Sequence, residues 1–323
     1  MTYTRREFLT MSGMLALSGL TGCALKQPPL RIASHVWPGY EFMFLAREQH
    51  WLDTNSVQLV ELPAATDSMH ALAAGDVDGA ALTLDETLRM CSNGVPLTVV
   101  LVFDVSVGAD VLLAKPQITQ LSDLAGKCIG VEHTALGALM LGKVLEAAKL
   151  RPEDIHPCAF LINQQEAAWR SGTLDAVITY EPTATRLEQL GARRLFDSRQ
   201  IPNTIVDVLA VKPSALQRDP QAVKHLVASH FRGVAHYQRN TPDAVYRMTS
   251  RLRLPVEQVS SVFKGIQLPW LDHNYRLLSG NPPSLLEPAR ALVTTMLNAG
   301  LLSKPVALDS LFTADFLPLP EAT

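Results

Sequence analysis

The feature that most constrains this chain is a regular alternation. Through its first two-thirds, short apolar runs of strand length are separated by stretches with helical spacing. The strand candidates are LRIAS, VQLVEL, DGAALT, LTVVLVFD, DVLLAK, KCIGVE, HPCAFL, LDAVITY, ARRLF and IVDVLAVK. Between them, YEFMFLAREQHW, DSMHALAAG, LDETLRMCSNG, ALGALMLGKVLEAAK, NQQEAAWRSG and ATRLEQLG read as helices. Several end in glycine, the residue that most readily takes the left-handed conformation closing a helix. Strands and helices in strict alternation bury their apolar faces as mostly parallel sheets covered by helices on both sides.

The pattern contains an internal echo. ALAAGDVDGAAL (Ala71 to Leu82) and AAWRSGTLDAVI (Ala167 to Ile178) are each a helix ending in glycine, one turn, and an aspartate opening a strand. Two α/β units of similar plan follow. The chain is expected to cross between them near residues 108–116, where DVLLAK meets Pro116, and to return near 204–213 at IVDVLAVKP. From Pro213 onward the reading is helices only, packing back on the first unit. The expected division is 28–112 for the first part of lobe 1, 113–205 for lobe 2, and 206–323 for the return strand and C-terminal helices.

The 323 residues suffice for two well-filled cores, and with 47% apolar and 18% charged residues disorder is not expected. A net charge of −3 without a Lys/Arg stripe excludes a nucleic-acid partner. Residues 1–22 read as an export signal. TRREFLT (Thr4 to Thr10) carries the arginine pair of a twin-arginine signal, although Sec signals also contain such pairs, so either route is open. The apolar run MSGMLALSGL is too short to span a bilayer. It ends in Leu20-Thr21-Gly22-Cys23, which resembles a bacterial lipobox with Cys23 as the lipidated first mature residue. The protein is thus expected to be lipid-anchored on the periplasmic face of a bacterial membrane. The remaining cysteines, Cys91, Cys128 and Cys158, form an odd set at wide spacings, so neither a disulfide framework nor a metal site is expected, and the three read as small buried hydrophobes.

With the lipobox, the two α/β units and the two crossings in view, the chain resembles the substrate-binding proteins of bacterial ABC importers, in the group serving nitrate, sulfonates, taurine and thiamine-pyrimidine precursors. The resemblance covers roughly residues 29–300. It is carried by LRIASHVWPGYEFMFLAREQHWLD, ALAAGDVDGAALTLDE, ADVLLAKPQITQLSDLAGKCIGVEHTALG and SGTLDAVITYEPTATRLEQLGARRLFDS. It implies a type II periplasmic-binding-protein fold. Two lobes close by hinge motion on one small molecule, and a monomeric carrier hands that molecule to a permease and ATPase complex. No cofactor is implied. A lipid-anchored clamp of this kind could instead present its closed form to a membrane receptor. A related fold includes a pyrimidine synthase with a His and Cys cluster, which has no counterpart here. The sequence also has no GxSxG or HExxH motif.

In open parallel sheets ligands bind beyond the carboxyl ends of the strands. That rule selects the loops bearing Trp37 and Tyr40, Asp85, Asp104 with Ser106 and Asp110, Glu132 with His133 and Thr134, and Tyr180 with Glu181. Trp37 and Tyr40 are candidate packing walls. The stretch GVEHTALGA (Gly130 to Ala138) reads as a strand end, a tight loop and a helix start, a geometry suited to an acceptor atom of a ligand. Yet Glu132 stands at its mouth. Acids come from both lobes, and no Lys or Arg lies in these loops until Arg186. A plain anion would face a negative field there, whereas an amine-bearing or nitrogen-rich heterocyclic ligand fits.

Overall fold

A computed structural model describes residues 27–319. The expected signal and Cys23 lie outside these residues. Ten strands form where the apolar runs stand: β1 (Leu30–Ser34), β2 (Val57–Glu61), β3 (Gly79–Thr83), β4 (Thr98–Ser106), β5 (Asp110–Ala114), β6 (Cys128–Val131), β7 (His156–Ala159), β8 (Ala176–Tyr180), β9 (Arg193–Asp197) and β10 (Val206–Val211). Helices α1 (Glu41–Glu48), α2 (Ala65–Ala74) and α3 (Leu84–Ser92) connect the first four strands. Helices α4 (Ala135–Ala148), α5 (Ile162–Arg170) and α6 (Thr183–Gln189) serve the second unit.

The strands sort into two separate sheets. One has the order β11-β4-β10-β3-β1-β2, where β11 is Ile266–Gln267; the other has the order β7-β6-β8-β5-β9. The two are built alike. β1, β2 and β3 run parallel, as do β6, β7 and β8. In each sheet the strand beside the third is antiparallel to both its neighbours: β10 between β3 and β4, β5 between β8 and β9. These two strands are the crossings. This is the two-lobed binding-protein fold, and the echoed segments supply α2 and β3 in one lobe, α5 and β8 in the other.

The C-terminal third adds α7 (Pro213–Arg218), α8 (Pro220–Arg239), α9 (Thr241–Leu252), α10 (Val256–Val262), α11 (Leu271–Leu278) and α12 (Leu286–Asn298). It is not helical throughout, because β11 pairs with the end of β4. The 20-residue α8 buries Val223, Leu226, Val227 and Val234 along one side, a stripe at helical spacing that packs over α1. Phe42 and Phe103 lie fully buried in this core, with the His230 ring against both. Each such large apolar side chain contributes about 1.5–3 kcal/mol on burial. Lobe 2 has two smaller cores on the faces of its sheet, one around Leu112, Ile129 and Met140, the other around Leu113, Trp169 and Val177.

One sequence expectation fails here. Cys128 and Cys158 are joined by a disulfide, with Cα atoms 6.0 Å apart and a sequence separation of 30. The strands β6 and β7 are parallel neighbours with Gly130 opposite Cys158. That register brings two cysteines together that wide spacing in sequence seemed to separate. Among the described residues, Cys91 is the free thiol.

Candidate functional site

The carboxyl ends of β1, β3, β6 and β8 meet the starting ends of the crossing strands between the lobes. His35 and Trp37 follow β1, Thr83 ends β3, Glu132 follows β6, and Tyr180 ends β8. Asp110 opens β5 opposite Tyr180, and Asp207 stands near the start of β10 opposite Thr83. These residues, with Ala65, Glu86, Thr134 and Leu136, enclose a cavity of about 20 Å3. That is room for about one water molecule. The cleft is closed: Glu132 Oε1 accepts from Thr66 Oγ1 at 2.6 Å and from Thr66 N at 3.2 Å, joining lobe 2 to lobe 1. At the mouth, Arg186 donates to the Leu252 carbonyl at 3.2 Å, and Gln189 bonds Gln258.

Trp37 forms a wall, as its loop position predicts. Its ring meets Tyr180 edge-on with centroids 5.8 Å apart, and its Nε1 donates to Asp104 Oδ2 at 2.9 Å. Gly39 makes that arrangement possible, because a Cβ there would sit 1.7 Å from Asp104 Oδ2. Thr134 caps α4, its Oγ1 accepting from Gly137 N at 3.0 Å. Gly137 is also sterically required, since an added Cβ would lie 2.1 Å from the Glu132 carbonyl oxygen. The loop GVEHTALGA is therefore folded tightly enough to aim Glu132 back into the cleft.

Other predicted residues stand elsewhere. Tyr40 does not face the cavity; it is fully buried in lobe 1, packed on Phe103 with its hydroxyl bonded to Asp207. Asp104 and Asp85 are fully buried behind the cavity wall. Ser106 belongs to the crossing, where its Oγ lies 2.8 Å from Ser198 Oγ and accepts from Asp110 N at 3.2 Å. His133 points to solvent. Glu181 does not line the cavity; its Oε2 accepts from Thr185 N in the first turn of α6 at 3.0 Å. Glu86, Asp207, Thr66 and His35 complete the site without having been selected from sequence. Two carried a signal. Asp207 is an acid inside an otherwise apolar run, and Glu86 follows Asp85 by one residue.

The electrostatics are one-sided. Burial, partly opposed by the Ser106 hydroxyl, pushes Asp110 up to about 7. Burial and then the neighbouring Asp85 raise Glu86; burial and then Asp104 and Asp110 raise Asp207. Burial raises Asp104 and Glu132 against the hydrogen bonds from Trp37 and Thr66. His35 offers no compensating charge, because burial and then the nearby Arg251 lower it to about 3. Several groups are left without a hydrogen bond: Asp110 Oδ2, Asp207 Oδ2, Glu132 Oε2, the Tyr180 hydroxyl and His35 Nδ1. Buried polar atoms in folded proteins are normally satisfied, so the three open carboxylate oxygens mark a site that expects donors, while the Tyr180 hydroxyl and His35 Nδ1 can also donate. Among the described residues, no group of three or more His, Cys, Asp or Glu is placed to hold a metal ion.

The sequence matches the NMT1/THI5-like family over residues 37–244, well over half the chain. The chain belongs to the NMT1/THI5-like family. Among curated relatives, a protein of Escherichia coli (strain K12) named for aliphatic sulfonate binding is 24% identical over 296 residues, covering 89% of this chain and 87% of that one. The taurine-binding periplasmic protein of the same organism is 25% identical over 210 residues, covering 61% and 64%. The alkanesulfonate-binding protein SsuA of Xanthomonas axonopodis pv. citri, solved with MOPS, superposes with a TM-score of 0.73 at 19% identity, over 88% of this chain and 97% of that one. The desulfurization enzyme DSZB shares the fold at a TM-score of 0.65 and 19% identity, over 90% and 98%. The curated relatives of this NMT1/THI5-like protein are thus binding proteins, while its fold also carries an enzyme. No helix among the described residues is long and apolar enough to cross a membrane.

Proposed function

We propose that this chain is an extracytoplasmic solute-binding lipoprotein. It captures a small amine-bearing or nitrogen-rich heterocyclic ligand between its lobes and delivers it, as a monomer, to an ABC permease and ATPase complex. Lobe 1 is residues 28–109 with 206–323 and lobe 2 is residues 110–205; the boundary expected at 112 moves to the start of β5, because the whole of Asp110–Ala114 pairs within the second sheet. Cys23 carries the lipid, and residues 1–22 are removed on export by the twin-arginine or Sec route. Trp37, Asp110, Glu132, Thr134 and Tyr180 contact the ligand, together with Glu86 and Asp207. Tyr40, Asp85, Asp104 and Glu181 support these contacts from behind.

The observation that carries this reading is the chamber's charge. Asp110, Glu132 and Asp207 converge with open acceptor atoms, Glu86 stands beside them, and neither an arginine nor a lysine lines the chamber. A cationic or strongly donating ligand satisfies them; each charge-assisted bond contributes about 1.5–3 kcal/mol. The curated relatives favour a second reading, a plain sulfonate, which would have to be held by hydroxyls and helix N-termini against this field.

Titration calorimetry with amines, aminopyrimidines, taurine, alkanesulfonates and nitrate decides between them. Tight binding of a plain anion, with amines inert, would overturn the amine reading. For the anchor, Cys23→Ser should release the protein from membrane fractions, and unchanged attachment would rule the lipid out.

A further inference from the structure

Behind Tyr180 the cleft continues into a second chamber of about 20 Å3, built entirely from lobe 2. Asp110 and Glu132 border both chambers, each with one carboxylate oxygen lacking a hydrogen bond. Leu136, Met140 and Ile178 give the second chamber an apolar side. Two further polar groups line it, Gln165 from α5 and Thr179 from β8, and each is 1% exposed.

Gln165 is held in one orientation. Its Nε2 donates to the Ile178 carbonyl at 3.1 Å, so the amide nitrogen is committed and Oε1 must face the other way. Oε1 has no donor, and the Thr179 hydroxyl has no partner either. A buried amide oxygen and a buried hydroxyl left open in residues that line one chamber with an apolar wall are costly to fold unless something else completes them. The apolar wall and the neutral acceptors together describe a group different from the charged one that the first chamber expects.

We infer that Gln165 and Thr179 determine specificity by accepting a second hydrogen-bond donor, so that the ligand is a compact amine carrying an N–H or O–H at its other end. This inference rests on the reading of the cleft as an amine site and adds the ligand's second end to it.

The test uses two probe pairs on the purified full-length protein: butylamine against 4-amino-1-butanol, and 2-aminopyrimidine against 2,5-diaminopyrimidine. In calorimetry the two-donor member of at least one pair should bind about five- to tenfold more tightly. Thr179→Val keeps the side-chain shape and removes only the hydroxyl; Gln165→Leu removes the acceptor. Each should shrink the preference to about twofold or less while leaving the one-donor member's Kd within about twofold of wild type. Melting curves check folding, and if Gln165→Leu does not fold, Thr179→Val decides alone. Equal affinities within both pairs in the wild type, or equal losses for both members in the variants, would overturn the inference while leaving the amine reading intact. If none of the four probes binds, the amine reading itself falls and the inference falls with it.

Discussion

The two lobes place an acid at the same point of the same plan, and use it differently. Asp207 near the start of β10 and Asp110 at the start of β5 occupy equivalent crossing strands, opposite Thr83 and Tyr180 at the ends of equivalent third strands. In lobe 1 the acids are tied to their own lobe: Tyr40 holds Asp207, Trp37 holds Asp104, and the Thr83 N–H bonds Glu86 at 3.2 Å. Asp207 still keeps its second oxygen open, as Asp110 does in lobe 2, but in lobe 2 Glu132 reaches across to Thr66 of the other lobe. One lobe thus presents a fixed wall, and the other presents groups whose partners change when the cleft opens or fills. A duplicated fold supplies the positions; the neighbours of each position decide whether an acid is structural or available.

The largest effect should come from the available acid. Asp110→Asn is expected to weaken an amine ligand by about 10- to 100-fold, the loss of one charge-assisted bond. Glu181→Gln, in the same lobe but committed to the α6 N-terminus, should leave Kd within about twofold. Calorimetry on both variants checks the contrast, and equal losses would erase the distinction between open and committed acids.

The two tyrosines sharpen the comparison on stability. Tyr40→Phe leaves Asp207 without its buried donor and should cost about 1–3 kcal/mol in urea unfolding. Tyr180→Phe removes a hydroxyl that bonds nothing, and should change stability by no more than about 0.5 kcal/mol while weakening the ligand. A reversed order of stabilities would show that Tyr180, and not Tyr40, carries the structural hydroxyl.

The pH dependence follows from the direction of the shifts. Asp110 is raised to about 7, and Glu86, Asp104 and Asp207 are raised as well, so the folded state holds protons that the unfolded chain has lost. Their contribution is fully present below the ordinary carboxylate range and is lost as pH rises through the folded values. Ligand-free protein should therefore melt lower at pH 8 than at pH 5, and a bound amine, which replaces those protons, should protect more at pH 8. Melting curves at both pH values, with and without ligand, measure both trends.

The smallest effect concerns closure. Thr66→Val removes the 2.6 Å bond to Glu132 but keeps the backbone N–H at 3.2 Å. Loss of one such bond should lower the closed-to-open ratio by about fivefold, seen as a larger radius of gyration in small-angle scattering. No change would mean that the mouth contacts of Arg186 and Gln189 hold the lobes by themselves.

The strand pattern made the fold legible because buried strands of a parallel sheet are short apolar runs, and each of the ten runs became a strand. The strand-end rule led to Trp37, Asp110, Glu132, Thr134 and Tyr180, all of which line the cavity. It could not resolve rotation about a helix. One residue is about 100° of turn, which is the difference between Asp85, buried behind the wall, and Glu86, which lines it. Nor could it see contacts between lobes, so Thr66 left no mark in the sequence. Gln165 left a faint one: it sits at helical spacing with Ile162, Ala168 and Trp169 on the buried face of α5, a polar residue in an apolar stripe. Glu181 was misplaced because an acid before a helix reads the same whether it caps that helix or faces a ligand.

The Cys128–Cys158 bond has a consequence for association between molecules. It fastens β7 to β6, and β7 is the outer strand of its sheet, with His156, Pro157 and Ala159 exposed. Outer strands offer unpaired backbone groups that recruit other chains, and a proline in one lowers that risk by withholding a donor. If the thiols were reduced, the four-residue β7 would be held only by its ladder, and peeling it away would expose β6 as a second, longer-lived edge. A cross-link closing a loop of this length stabilises the folded chain against the unfolded one by about 3–4 kcal/mol, and it also tethers β7 to β6. The bond thus guards the lobe with the smaller cores against self-assembly, and a rise in light scattering on warming with a thiol reductant, absent without it, is the behaviour that this role requires.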